Sequence, residues 1–115
     1  MAITENKAKN FALEIFEGMP DGLEKRVLLK HSEGVVQTCE KLAKGQEIDL
    51  ESLKIAGWLH DIGRIRSIKG HAKISLEIAE EKFEELNNII KDCILNHGNS
   101  KTPETREGEI IQFAD

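Results

Sequence analysis

Apolar residues recur at helical spacing along almost the whole of this chain, and no window alternates apolar and polar residues between turn signals. That regularity confines the fold to packed helices. Phe11, Leu13, Ile15 and Phe16 supply the apolar side of a first helix over about residues 4–17, which Gly18 and Pro20 bring to a stop. In residues 23–44, His31, Val35, Cys39 and Leu42 fall at i, i+4, i+8 and i+11, on one kinked helix or two in tandem, with Gly45 as terminator. Asp49 is placed to cap a third helix, on which Leu53, Ala56, Gly57 and His60 share a face and which ends near Asp61. Ala72, Leu76, Ala79 and Phe83 mark a fourth face, and Leu86, Ile89, Ile90, Cys93, Ile94 and His97 a fifth. Pro103 and Thr105 open a last helix whose Ile110, Ile111 and Ala114 turn inward, with Asp115 four residues after Ile111. The expected architecture is all-α, a compact bundle of five to seven helices.

A length of 115 residues fits one domain, residues 1–115, with enough core to stand without disulfide staples. Cys39 and Cys93 form no CxxC pair and match no zinc-finger spacing, so both read as buried thiols. No apolar run approaches the roughly 18 residues of a membrane span, and the mixed-charge N-terminus lacks the apolar stretch of a secretory signal. A cytoplasmic location and no membrane partner are therefore expected. The net charge of −5 argues against a nucleic acid polymer as partner, because phosphate backbones attract positive surfaces. A small phosphorylated molecule, held by a local group of cations, is expected instead.

Only four histidines are present, His31, His60, His71 and His97. Three lie on the inward stripes of different helices, and His71 stands at a helix start. Burying several imidazoles in one small core is costly unless something pairs with them. A metal ion, whose commonest nitrogen ligand is neutral imidazole, is the economical partner. His60 and Asp61 are neighbours, about 100° apart in a regular helix, so both face one ion only where the helix unwinds. Gly63 is placed to permit that unwinding. Asp61 also brings negative charge to the negative end of its helix, which a nearby cation offsets.

His31, the pair His60-Asp61 and a distant Asp115 resemble the H…HD…D signature of the HD superfamily of metal-dependent phosphohydrolases. His60-Asp61-Ile62-Gly63 is similar to the HDIG subgroup of that superfamily, and Phe113-Ala114-Asp115 resembles its closing helix. The resemblance covers residues 31–115. It implies an HD-type bundle with a central divalent metal held by His31, His60, Asp61 and Asp115. It also implies a chain short at its C-terminus, since such domains run past the last aspartate. In binuclear members further histidines hold a second ion. By that resemblance Asp61 bridges and His71 and His97 take the second metal, so one or two ions are expected. Nitrogen and carboxylate donors favour manganese, iron, cobalt, nickel or magnesium, with zinc also compatible.

The function so implied is hydrolysis of a phosphomonoester, phosphoanhydride or phosphodiester in a nucleotide-like substrate by metal-activated water, with Asp61 and Arg64 as catalytic residues. Arg64 opens a basic run that continues through Arg66 and Lys69, and its planar fork matches phosphate oxygens. Lys101 and Arg106 follow His97 and are further candidates for the rim of the pocket. The resemblance leaves two alternatives to a hydrolase: a metal-binding regulatory module with little turnover, and a diiron oxygenase.

Overall fold

The computed structural model describes residues 3–115 and places in them six α-helices, one 3₁₀ turn and no strand. The helices are α1 (Glu5–Glu17), α2 (Leu23–Ala43), α3 (Leu50–Leu59), α4 (His71–Lys82), α5 (Asn88–Leu95) and α6 (Arg106–Ala114), with the 3₁₀ turn at Ile62–Ile65 between α3 and α4. The all-α bundle expected from the apolar period is the fold observed. None of these helices is long and apolar enough to cross a membrane.

Four helices begin on side-chain caps. Thr4, Asp49, Asn87 and Thr105 each accept the backbone N–H three residues on, where the first turn has no backbone acceptor of its own. The segment that read as one kinked helix or two is a single helix, α2, of 21 residues. In α4 the buried side is Ser75, Ile78 and Ala79, while Ala72 and Leu76 are only half-buried, so the helix is rotated from the face its hydropathy suggests. The cause is polar: the Ser75 hydroxyl accepts the Gly63 N–H at 2.7 Å in the interior. α5 is shorter than its apolar stripe, because Asn87 caps it late and the chain leaves the helix at Asn96. His97 therefore lies beyond the helix end.

α3 is the centre of the bundle. Leu53, Ile55, Ala56, Trp58 and Leu59 are all buried, and the helix packs on α1, α2, α4, α5 and α6. A helix buried over seven of its ten residues, with Glu51 and Lys54 three apart on its one polar edge, belongs in the middle. Trp58 Nε1 donates to Glu5 Oε2 at 3.2 Å and Lys54 pairs with Glu5 at 3.0 Å, joining α1 to α3. The start of α6 is fixed by two carboxylates. Glu107 Oε2 accepts the Asp49 N–H at 2.7 Å. Asp92, buried on α5, accepts the N–H groups of Glu104 and Thr105 at 3.0 Å, the Thr105 hydroxyl at 2.6 Å and the Asn96 amide at 2.8 Å. Those bonds determine where α6 runs and hence where Asp115 arrives. Asp92→Ala leaves two backbone donors without an acceptor and is expected to lower the unfolding free energy by about 3 kcal/mol in a urea titration; a loss under about 0.5 kcal/mol contradicts this role.

Candidate metal centre

Helix α3 ends at Leu59, and the next two residues unwind: His60 is its C-cap, and Asp61 has φ −113° and ψ 6°. This turn lets both side chains point to one side. Gly63 serves it differently from expectation. A Cβ there meets the His71 carbonyl oxygen, with Ser75 N at 2.6 Å and Ser75 Oγ at 2.8 Å, so its role is close approach of the 3₁₀ turn to the start of α4. Gly70, in the left-handed region at φ +72°, then turns the chain into His71.

The six residues singled out as ligands come together from separate elements. His31 Nε2, on α2, lies 2.7 Å from Asp115 Oδ1, and Asp115 caps α6. Asp61 Oδ2 is 3.3 Å from both His31 Nε2 and His60 Nε2, and His60 Nε2 is 3.2 Å from Asp115 Oδ1. The other Asp61 oxygen, Oδ1, is 3.0 Å from His71 Nε2 and 3.9 Å from His97 Nε2. Asp61 thus divides the cluster into two donor sets, one of four residues and one of three, that share its carboxylate. Donors about 2.1 Å from a common ion stand about 3.0 to 3.4 Å apart in octahedral or tetrahedral geometry, and four of these six separations fall in that range, His31–Asp115 being shorter and His97–Asp61 longer. His60, Asp61 and His97 are buried, whereas His31, His71 and Asp115 keep about 32, 27 and 26% of their side chains exposed and form the mouth.

Hydrogen bonding at the far side of the rings fixes which nitrogen faces inward. Nδ1 of His60, His71 and His97 donates to the carbonyl three residues earlier, Gly57, Ile68 and Ile94, at 2.7, 3.0 and 2.7 Å. A carbonyl only accepts, so each Nδ1 carries the proton and a neutral ring presents a bare Nε2 lone pair to the centre. His71 and His97 then face each other with Nε2 atoms 3.1 Å apart. Two lone pairs at that distance repel unless a cation sits between them. Asp61 Oδ2 is buried and receives no well-directed hydrogen bond, which points to the same missing partner. These His and Asp groups are able to hold a divalent metal.

The titration behaviour follows from the same contacts. The contact with Asp115, and then that with Asp61, raises the His31 pKa to about 9. Burial works to lower that of His60, but Asp115 and Asp61 outweigh it and raise it to about 10. Burial, reinforced by the charge of His60, lowers His97 to about 4. Burial works to raise Asp61 and Asp115, and the adjoining His31 and His60 hold both well below the ordinary carboxylate range. Without a metal, protons on His31 and His60 balance the two carboxylates.

Arg64 sits on the 3₁₀ turn, its N–H bonded to the Asp61 carbonyl at 3.0 Å. Its Nε is buried with no acceptor, and it forms no ion pair with another described residue. Arg66 and Lys69 are exposed, and so is Lys101. Arg106 is bonded to Gln46 and paired with Glu109 beside α2. Sequence reasoning missed four supporting side chains, Ser75, Asp92, Glu107 and Gln112. Gln112 Nε2 donates to the carbonyls of Gly98 at 2.7 Å and Lys101 at 2.8 Å, tying the loop after His97 to the helix that carries Asp115. No periodicity marks such residues, because their partners are backbone groups far away in sequence.

An all-helical bundle that gathers four imidazoles and two carboxylates around one interior point defines a class, proteins with a histidine–carboxylate metal centre. A family model described as "HD domain" matches residues 28–115, and this chain belongs to the HD-domain family. Among curated proteins it is similar to Ribonuclease Y of Lawsonia intracellularis, 34% identical over 91 residues, and of Syntrophomonas wolfei, 33% over 91. Ribonuclease Y of Borreliella burgdorferi is 36% identical over 93 residues. Each match covers 76% of this chain but only 17 or 18% of the relative, so the chain spans under a fifth of their length. No solved structure matches.

These relatives correct one expectation. They are named as ribonucleases, so net charge gave no ground for excluding a nucleic acid polymer in favour of a small phosphorylated molecule. Net charge sums the whole surface, and much of the negative charge lies on exposed Glu77, Glu80, Glu81, Glu84 and Glu85, along and just beyond α4. The local field at a cleft is a separate quantity.

Because a metal displaces protons from His31 and His60, binding is expected to release about two protons per chain near pH 8. The apparent affinity should keep rising to about pH 10, above the ordinary imidazole range, as first His31 and then His60 loses its proton. Calorimetry in buffers of different ionisation enthalpy measures both. A binding enthalpy independent of buffer contradicts this account.

Proposed function

We propose that residues 1–115 form a metal-dependent hydrolase domain that cleaves phosphodiester bonds in RNA. The observation that carries this reading is the division of Asp61, one oxygen toward His31 and His60 and the other toward His71 and His97. The names of the relatives supply the polymer. In this reading His31, His60, Asp61 and Asp115 hold one ion, and Asp61, His71 and His97 a second, of manganese, iron, cobalt, nickel or magnesium, with zinc also compatible. A divalent ion so held lowers the pKa of water to near neutrality and polarises a phosphoryl oxygen.

The chain's own residues supply the rest. Asp61 and Asp115 concentrate negative charge in a largely buried setting, which favours a cation there over the solvent. The carbonyls of Gly57, Ile68 and Ile94 lock three rings in one tautomer and orientation, so the centre needs little rearrangement. His31, His71 and Asp115 leave one side open to a strand of substrate. Arg64, with a buried Nε free of internal partners, supplies a cationic fork for a phosphate of that strand.

The test is hydrolysis of a pentaribonucleotide and of bis(p-nitrophenyl) phosphate by the manganese-loaded chain. Both are expected to be cleaved, with turnover lost on chelation and reduced at least about a hundredfold by His60→Ala. Full metal occupancy without cleavage of either substrate contradicts the reading.

A further inference from the structure

A groove of about 780 Å³ lies between the end of α1 and the segment that carries Arg64 to Ile68. Its volume is that of a small-ligand site. One hydrogen bond and one short stretch of chain tie its wall to the proposed ligands. Ile68 lines it, and the Ile68 carbonyl holds His71 Nδ1 at 3.0 Å. Arg64 also lines it, on the turn that begins at Asp61.

The walls combine apolar and charged groups. Phe11, Ile15, Met19, Pro20, Ile65 and Ile68 give the apolar surface, of which Ile65 and Ile68 are 40 and 65% exposed and so open to a ligand. Arg64 and Arg66 supply cations with no ion pair among the described residues, and the buried Arg64 Nε lacks an acceptor. Glu14 and Glu24 face the same groove. They disfavour a bare polyanion, and they suit a ligand that carries amine or hydroxyl donors beside its phosphate. The α1 side of the groove, with Glu24, lies outside residues 28–115, the part the family model matches.

We propose that this groove is a subsite for the nucleotide adjoining the scissile phosphate, its base and sugar against Met19, Ile65 and Ile68 and its phosphate toward Arg64 and Arg66. The inference rests on the phosphodiesterase reading above and adds a requirement for substrate length. Catalysis on a chain then benefits from contacts that a simple aryl diester does not make. No tyrosine is present, Trp58 is buried, and Phe11, the aromatic side chain in the lining, is half-buried and packed edge-on with Phe83 at 5.5 Å, so the contact is mainly apolar and sequence-tolerant.

The experiment compares wild type, Arg66→Glu and Met19→Glu. Arg66 is exposed, so its reversal tests the groove even if the half-buried Met19 variant unfolds. Binding of a fluorescent, phosphorothioate-protected pentaribonucleotide is followed by anisotropy, and kcat/KM is measured for the pentaribonucleotide and bis(p-nitrophenyl) phosphate. Each variant is expected to raise the Kd about tenfold and to lower the ratio of the two kcat/KM values by about the same factor. An unchanged Kd and ratio in folded, metal-loaded Arg66→Glu overturn the subsite. Tripolyphosphate competing as well as the unlabelled pentaribonucleotide also overturns it, reducing the groove to an anion trough. Wild type that binds the oligomer in a manner both variants weaken, yet cleaves neither substrate, supports the groove and removes the phosphodiesterase reading.

Discussion

The carboxylate of Asp61 is almost wholly buried between two pairs of imidazoles, and much of the bundle is arranged around that placement. A buried carboxylate is costly unless compensated. Here one oxygen has no directed hydrogen bond, and the surrounding rings turn lone pairs toward it. Two like-oriented Nε2 atoms at 3.1 Å, as in His71 and His97, make the same demand for positive charge. Protons answer part of that demand on His31 and His60, and a divalent cation answers all of it.

The helices meet this demand mainly with their ends. His60 caps α3, His71 begins α4, His97 follows α5 and Asp115 caps α6; only His31 sits within a helix. At an end the backbone departs from helical geometry, so neighbouring side chains such as His60 and Asp61 share a direction that a regular helix denies them. Ends also fray, and this chain counters that with buried polar ties. Ser75 holds Gly63, Asp92 and Glu107 seat the start of α6, and Gln112 binds the loop behind His97.

Much of this was legible in the sequence. The apolar period gave the helices, and Asp49 and Thr105 marked true starts. His31, His60 and His97 stood out because histidines on apolar stripes need a partner, Asp61 by its place beside His60 at a helix end, and His71 and Asp115 through the resemblance to the HD signature; the structure gathers all six. What stayed hidden depends on contacts between distant segments. The inward turn of Ser75 overrides the hydropathy of α4, the reason for Gly63 is a neighbour twelve positions on, and Asp92 serves backbone donors of a later loop. The exclusion of a polymer failed for another reason: total charge does not report where the charge lies.

The account stands most directly on where a cation goes. Crystals grown with manganese and measured at its absorption edge should show two anomalous peaks about 3.5–4 Å apart, one beside each oxygen of Asp61. A single peak among His31, His60, Asp61 and Asp115 would leave the lone pairs of His71 and His97 unexplained. Peaks only at surface carboxylates, with the Asp61 cluster empty, would contradict the account.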